Sequence, residues 1–152
     1  MTWVEKVSVG WEHWDFSAWL AAPAPARARA QFKDDQDAFD IQFLEDLLVR
    51  LPDHAEILTQ LGHLYTTVGR YREGLGIDRR LVALRPRDPL AYYNLGCSHA
   101  LMKQSLRAFA ALRHAIELGY RDIEYMQADP DLEHLRKDPR WNDLLHVVNV
   151  KL

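Results

Sequence analysis

"AEILTQLGHLYTTVGRYREGLGIDRRLVALRPRD", residues 55–88, aligns without a gap over "PLAYYNLGCSHALMKQSLRAFAALRHAIELGYRD", residues 89–122. Ala55 stands over Pro89, an offset of 34. In that register Leu58 falls on Tyr92, Leu61 on Leu95, Gly62 on Gly96, Gly74 on Ala108 and Leu84 on Leu118. Leu58, Leu61, Leu64, Tyr65 and Val68 recur at the spacing of one helix face. Gly69 is placed to end that helix in a left-handed conformation. A second helix is expected over about 71–84, ending before Pro86. Asp88 and Pro89 then open the next copy as N-cap and first helical residue. Asp53, with Glu56 three residues on, is expected to cap the first copy.

A period of 34 residues made of helix, turn and helix resembles the tetratricopeptide repeat. The matching residues are Leu58, Leu61, Gly62, Tyr65, Gly69, Tyr71 and Pro86, then Tyr92, Leu95, Gly96, Ala108, Ala115 and Leu118. The resemblance covers residues 55–122, as repeats 55–88 and 89–122. Pro52 lies 34 residues before Pro86, so 36–52 reads as the second helix of an earlier half repeat. Its apolar face is expected to be Phe39, Phe43, Leu47, Leu48 and Leu51. The fold implied is all-α: a short right-handed helical solenoid of helix-turn-helix repeats with a short-helix C-terminal cap over 123–152. Asp129-Pro130 and Asp138-Pro139 punctuate that cap into short helices near 122–128, 130–136 and 139–148. A single helix pair cannot bury its apolar face, but stacked pairs can.

Three departures from the family pattern carry expectations. Lys103 holds the position of Gly69, so its turn must avoid or tolerate a left-handed residue. Gly74 and Gly76 lie mid-helix. Asp78 stands where the family has a large apolar residue, so the second helix of the first repeat is expected to pack atypically.

Residues 1–30 form a separate segment, a Trp-rich arm followed by the Pro/Ala linker "AAPAPARARA", and residues 31–152 form the repeat domain. The arm carries Trp3, Trp11, Trp14 and Trp19 and is expected to be helical over roughly 11–21. Four exposed tryptophans are a liability. The arm therefore either folds back as a cap or docks elsewhere, which raises a homo-oligomer held through residues 1–20.

Composition narrows the function class. With 48% hydrophobic and 27% charged residues the chain reads as globular, and a net charge of −3 gives no basic face for nucleic acid. No 18-residue apolar run suggests a membrane span, and no signal peptide is evident. The single cysteine cannot form an internal disulfide, and a cytoplasmic location is expected.

Cys97 and His99 invite a catalytic reading, but residues two apart on a helix point roughly 200° apart. In the repeat register His99 falls on Tyr65, which in the family packs between the helices of a repeat, so His99 reads as a packing residue. No zincin motif, phosphate loop or nucleophile elbow is present. His63 and Cys97 are at most a thin ligand pair. No catalytic residue, metal or cofactor is expected, and an enzyme with a groove site is the weaker alternative.

The resemblance implies a concave groove lined by the first helix of each repeat. Thr59, His63, Thr66 and Thr67 would line it from the first repeat. Leu90, Tyr93, Asn94, Cys97, Ala100 and Leu101 would line it from the second, with Tyr93 as an anchor. The Lys, Asn and Arg clamp by which some members grip a chaperone's terminal carboxylate is not at these positions. Arg70, Arg72, Arg79, Arg80, Arg85 and Arg87 read as a solvated outer face. The function implied is a non-catalytic adaptor or assembly scaffold that binds a peptide or helix of another protein, with a self-associating structural protein that uses its Trp-rich arm as the alternative.

Overall fold

A computed structural model describes residues 26–150. The chain divides into two compact units, Met1–Gln36 and Asp37–Leu152. The described part of the first is the opening turns of a helix, α1, which spans Ala26–Arg50. There follow α2 (Ala55–Thr67), α3 (Tyr71–Leu84), α4 (Pro89–Leu101), α5 (Ser105–Leu118) and α6 (Ile123–Ala128). Two single 3-10 turns, Pro130–Leu132 and Leu135–Lys137, lead into α7 (Arg140–Val150). No strand occurs among the described residues. The helices α2 to α5 pack in succession, α7 closes on α5, and the first 3-10 turn lies on α4.

Two cores run through the stack. One joins Ile41, Leu44 and Leu48 of α1 to Leu58, Leu61 and Tyr65 of α2 and to Ile77 and Leu81 of α3. The other joins Tyr93, Leu112 and Ile116 to Met126, Leu132, Leu135, Trp141 and Leu144 of the cap. Gly96 lets α4 and α5 meet: a Cβ there would stand 2.7 Å from Leu112 Cγ and Cδ2.

The first expected helix is longer than the half repeat. It begins at Ala26, so a boundary at residue 30 falls inside it. Pro25 precedes the first helical residue, and the Ala, Arg and Gln that follow are strong helix formers. Its buried face also differs from the expected one. Ile41, Leu44 and Leu48 are buried and Leu47 packs beside them. Phe39 and Phe43 are 66% and 53% exposed, and Leu51 is exposed too. The two phenylalanine rings stack on each other, centroids 6.4 Å apart, on roughly the opposite side of the helix. Both residue sets satisfy three-and-four spacing, and contact with α2 selects the aliphatic one.

The expected Asp53 cap does not form. The N-cap of α2 is His54, with no side-chain hydrogen bond to the helix. Glu56 does not reach back to complete a capping box. Its carboxylate turns to Arg85, 2.5 Å away, and to His54 at 3.3 Å. Asp88 caps α4 as expected, accepting from the amides of Leu90 (2.9 Å) and Ala91 (3.4 Å). In the cap, the helix expected near 130–136 is two 3-10 turns. Arg136 Nη1 reaches back to the Asp129 carbonyl at 2.7 Å across them.

Gly69 has φ 79° and Lys103 has φ 58°. The lysine tolerates the left-handed region because the same hydrogen bonds close both turns. Gly69 N donates to Thr66 O and Arg70 N to Tyr65 O; Lys103 N donates to Ala100 O and Gln104 N to His99 O. Lys103→Gly should therefore stabilise the protein by about 0.5–1 kcal/mol, the left-handed penalty less the added freedom of the unfolded chain. A rise of the thermal midpoint checks this, and an unchanged or lower one refutes it.

Candidate interaction groove

The first helices of the two repeats, α2 and α4, lie side by side across α3. Residues one turn apart on each face the same space. Thr59, His63 and Thr66 of α2 and Tyr93, Asn94 and Cys97 of α4 line one groove of 460 Å³. Asp78 of α3 also reaches it, and Tyr125, Asp129, Pro130 and Asp131 of the cap complete it. Leu90 lines an adjoining hollow of 300 Å³ with Thr59 and Asn94. Thr67 borders the groove. Ala100 is fully buried and Leu101 is half-buried, and neither lines these two spaces.

Tyr93 is not the exposed anchor expected from the sequence. It is 3% exposed. Its ring stacks on Tyr120, centroids 4.4 Å apart and planes within 3° of parallel. Its hydroxyl donates to Asp129 Oδ2 at 2.6 Å. The same oxygen accepts from Cys97 Sγ at 3.6 Å, and Asp129 Oδ1 accepts from the amide of Asp131 at 3.0 Å. Asp129 thus performs the capping role its Asp-Pro context indicates and also ties the cap to α4. The second role has no local signal, because its partners lie 32 and 36 residues away.

These contacts decide the chemistry of Cys97. Burial, with the Asp129 and Asp131 charges, pushes its thiol well above the usual range, so the nucleophilic thiolate is disfavoured. His99 faces elsewhere: it is buried, and its Nδ1 shares a hydrogen bond with Gln104 Oε1 at 2.9 Å. Burial lowers its pKa and keeps the ring neutral. This is the packing role expected from the register. Ligand atoms of Cys97, Asp129 and Asp131 lie within 4.8 Å of one another, whereas the sequence suggested His63 with Cys97. Asp129 Oδ2 accepts two hydrogen bonds there, from the Tyr93 hydroxyl and the Cys97 thiol, so the three groups form a hydrogen-bonded knot.

Asp78 is 6% exposed and accepts one hydrogen bond, from Ser98 Oγ at 2.6 Å. Burial pushes its pKa up to about 6. Between the ordinary carboxylate value and this one, the folded state holds a proton that the unfolded state has released. Asp78 therefore opposes folding as pH rises to about 6, and the opposition is relieved below about 4. Asp78→Asn should stabilise the fold at pH 7 by about 1–3 kcal/mol, with the gain shrinking as pH falls towards 4. Urea unfolding of both proteins at a series of pH values checks this, and a pH-independent difference contradicts it.

The six arginines named as an outer face are exposed. Arg70 lies over the Tyr65 ring at 4.4 Å. Trp3, Trp11, Trp14 and Trp19, and the helix expected over 11–21, lie outside the described residues. No helix among the described residues is long and apolar enough to cross a membrane.

No protein-family model matches the chain. Among curated proteins it is similar to a chloroplastic protein of Arabidopsis thaliana: 31% identical over 87 residues, 55% of this chain and 26% of that protein. It is also similar to a CTR9 homolog of Arabidopsis thaliana, 42% identical over 52 residues, 34% of this chain and 5% of that protein. The chain thus spans about a quarter or less of these relatives. Among solved structures it resembles MamA (41-end) of Desulfovibrio magneticus RS-1, with TM-score 0.60 and 21% identity over 80% of this chain and 70% of that one. The RS-1 MamA ArsTM double mutant gives TM-score 0.59 and 23% identity at the same coverage. With two gapless copies of a 34-residue helix-turn-helix unit, the chain shares the fold of these solved structures.

Proposed function

We propose that the chain is a non-catalytic interaction scaffold that holds a peptide or helix of another protein in the groove between α2 and α4. One observation carries this reading. Seven of the ten residues named as groove-lining from the repeat register line a single space of 460 Å³. That volume suits several side chains of a bound segment. The lining mixes hydroxyls, an amide and carboxylates with a similar amount of apolar surface, which suits recognition by hydrogen bonding and charge alongside apolar contact. A reactive centre has little support there, because the Cys97 thiol is held protonated and His99 faces another way.

Asn94 borders both the groove and the adjoining hollow, so Asn94→Arg places a long charged side chain across the binding space. Affinity capture from the native cell, read by quantitative mass spectrometry, should lose its enriched proteins with Asn94→Arg and keep them with Arg72→Ala on the exposed side of α3. Enrichment that survives Asn94→Arg would show that partners bind elsewhere.

A further inference from the structure

We propose that the groove selects a partner segment bearing a basic side chain, arginine or lysine, and seats it on the Asp78 carboxylate. This rests on the groove reading above and names the chemistry of its occupant.

The repeat itself supplies the comparison. Asp78 and Leu112 are equivalent positions, 34 residues apart. Each lies where the glycine of the preceding helix allows close approach. Leu112 packs against Gly96, and Asp78 Oδ1 would stand 3.4 Å from a Cβ at Gly62. In the later repeat Leu112 is fully buried. In the earlier repeat a carboxylate, Asp78, holds that position; it is bonded to the Ser98 hydroxyl and lines the groove.

A buried carboxylate needs compensation. Here the single donor to Asp78 is the neutral Ser98 hydroxyl, on Oδ2; Oδ1 has no donor among the described residues. Among the described residues no lysine or arginine lines the groove. Two more carboxylates, Asp129 and Asp131, stand at its cap end, and among the described residues His63 is the one lining side chain that can carry positive charge. Asp129 is engaged by Tyr93 and Cys97, which leaves Asp78 and Asp131 to face an incoming ligand. A guanidinium or ammonium entering from a partner would supply the missing donors and offset the buried charge. A charge-assisted bond in so shielded a place is stronger than one at the surface. An acidic segment would meet three carboxylates and be repelled.

The test selects peptides from a random-peptide phage library on the full chain, then measures a selected peptide by fluorescence anisotropy. The expected result is a basic residue at one fixed position in the selected sequences. Affinity should fall about tenfold or more both with Asp78→Asn and with a peptide carrying norleucine at that position. The two changes together should lose little more than either alone, because they remove the same contact. Asp78→Asn keeps the shape of the side chain and an acceptor for Ser98, so a folded variant is expected, and its unfolding curve verifies this. Selected sequences without a fixed basic residue, or affinity within about twofold of wild type in Asp78→Asn, overturn the inference. If such peptides nonetheless lose binding with Asn94→Arg, the groove reading stands and only the basic-residue assignment fails. Binding indifferent to Asn94→Arg, or a library that yields no binder, counts against the groove itself.

Discussion

Leu112→Ala should destabilise the fold by about 2–5 kcal/mol. Leu112 is fully buried at the centre of the larger core, between α4 and the cap. Its removal leaves a void that neighbours fixed on three elements cannot collapse to fill. Gly96→Ala probes the same contact from the other side and should destabilise by about 1–3 kcal/mol, despite alanine's better helix propensity. The added methyl would sit 2.7 Å from Leu112 Cγ, near the base of a side chain with no room to swing away. Gly62→Ala is the control. There the closest atom is Ile77 Cγ2 at 3.2 Å, so crowding and propensity should nearly cancel, with a net change within about 1 kcal/mol. Combining Gly96→Ala with Leu112→Ala should cause less loss than the sum, because the methyl at 96 moves into space that Leu112 vacates. Urea unfolding of the four variants, followed by far-UV circular dichroism, measures all of this. Additive losses would mean that the two residues do not share the contact that brings α4 and α5 together.

What the sequence reveals of this molecule follows from the range over which its signals act. The Asp88-Pro89 cap, the left-handed Gly69 and the span of α3 are local matters, and each is where the residues place it. The helix pairing follows from the register of two glycines, because a missing side chain at a crossing is visible in one dimension. The face of α1 is not so visible. Phe39 and Phe43 satisfy the same spacing as Ile41, Leu44 and Leu48, and only the shape of α2 chooses between them. Asp53 fails as a cap for a similar reason: Arg85, 29 residues beyond Glu56, takes the carboxylate that a capping box requires. The groove is intermediate. Its lining follows from the repeat register, since Thr59, His63, Thr66, Asn94 and Cys97 recur on one helix face. Its closure by the cap does not, because the tie between Tyr93 and Asp129 joins polar residues that no periodicity links.

Asp129→Ala should destabilise the protein by about 2–4 kcal/mol and loosen the cap before the rest of the stack. The carboxylate accepts from the Tyr93 hydroxyl, the Cys97 thiol and the Asp131 amide. Alanine removes both acceptor oxygens, hence all three hydrogen bonds, and leaves a buried phenol hydroxyl without a partner, which penalises the fold more than the loss of an exposed hydrogen bond. Asp129→Asn should fall between. Its one oxygen can serve Tyr93 or the Asp131 amide, and its NH2 then faces the other donor. Tyr93→Phe removes one donor and leaves Asp129 still bound to Cys97 and Asp131, so it should be the mildest of the three. Amide hydrogen exchange separates a local effect from a global one. Protection at Met126, Leu132 and Leu135 should fall in Asp129→Ala well before protection at Leu58 and Leu61, which lie in the other core. Equal loss in both cores would make Asp129 a general stability residue rather than the latch of the cap. Because Asp129 also lines the groove, the same variant links stability to binding: a loosened cap widens the space that Asp78, Asn94 and Asp131 share. Peptide affinity should then drop further in Asp129→Ala than in Tyr93→Phe, in the same order as cap protection. A partner held by α2 alone would be indifferent to both.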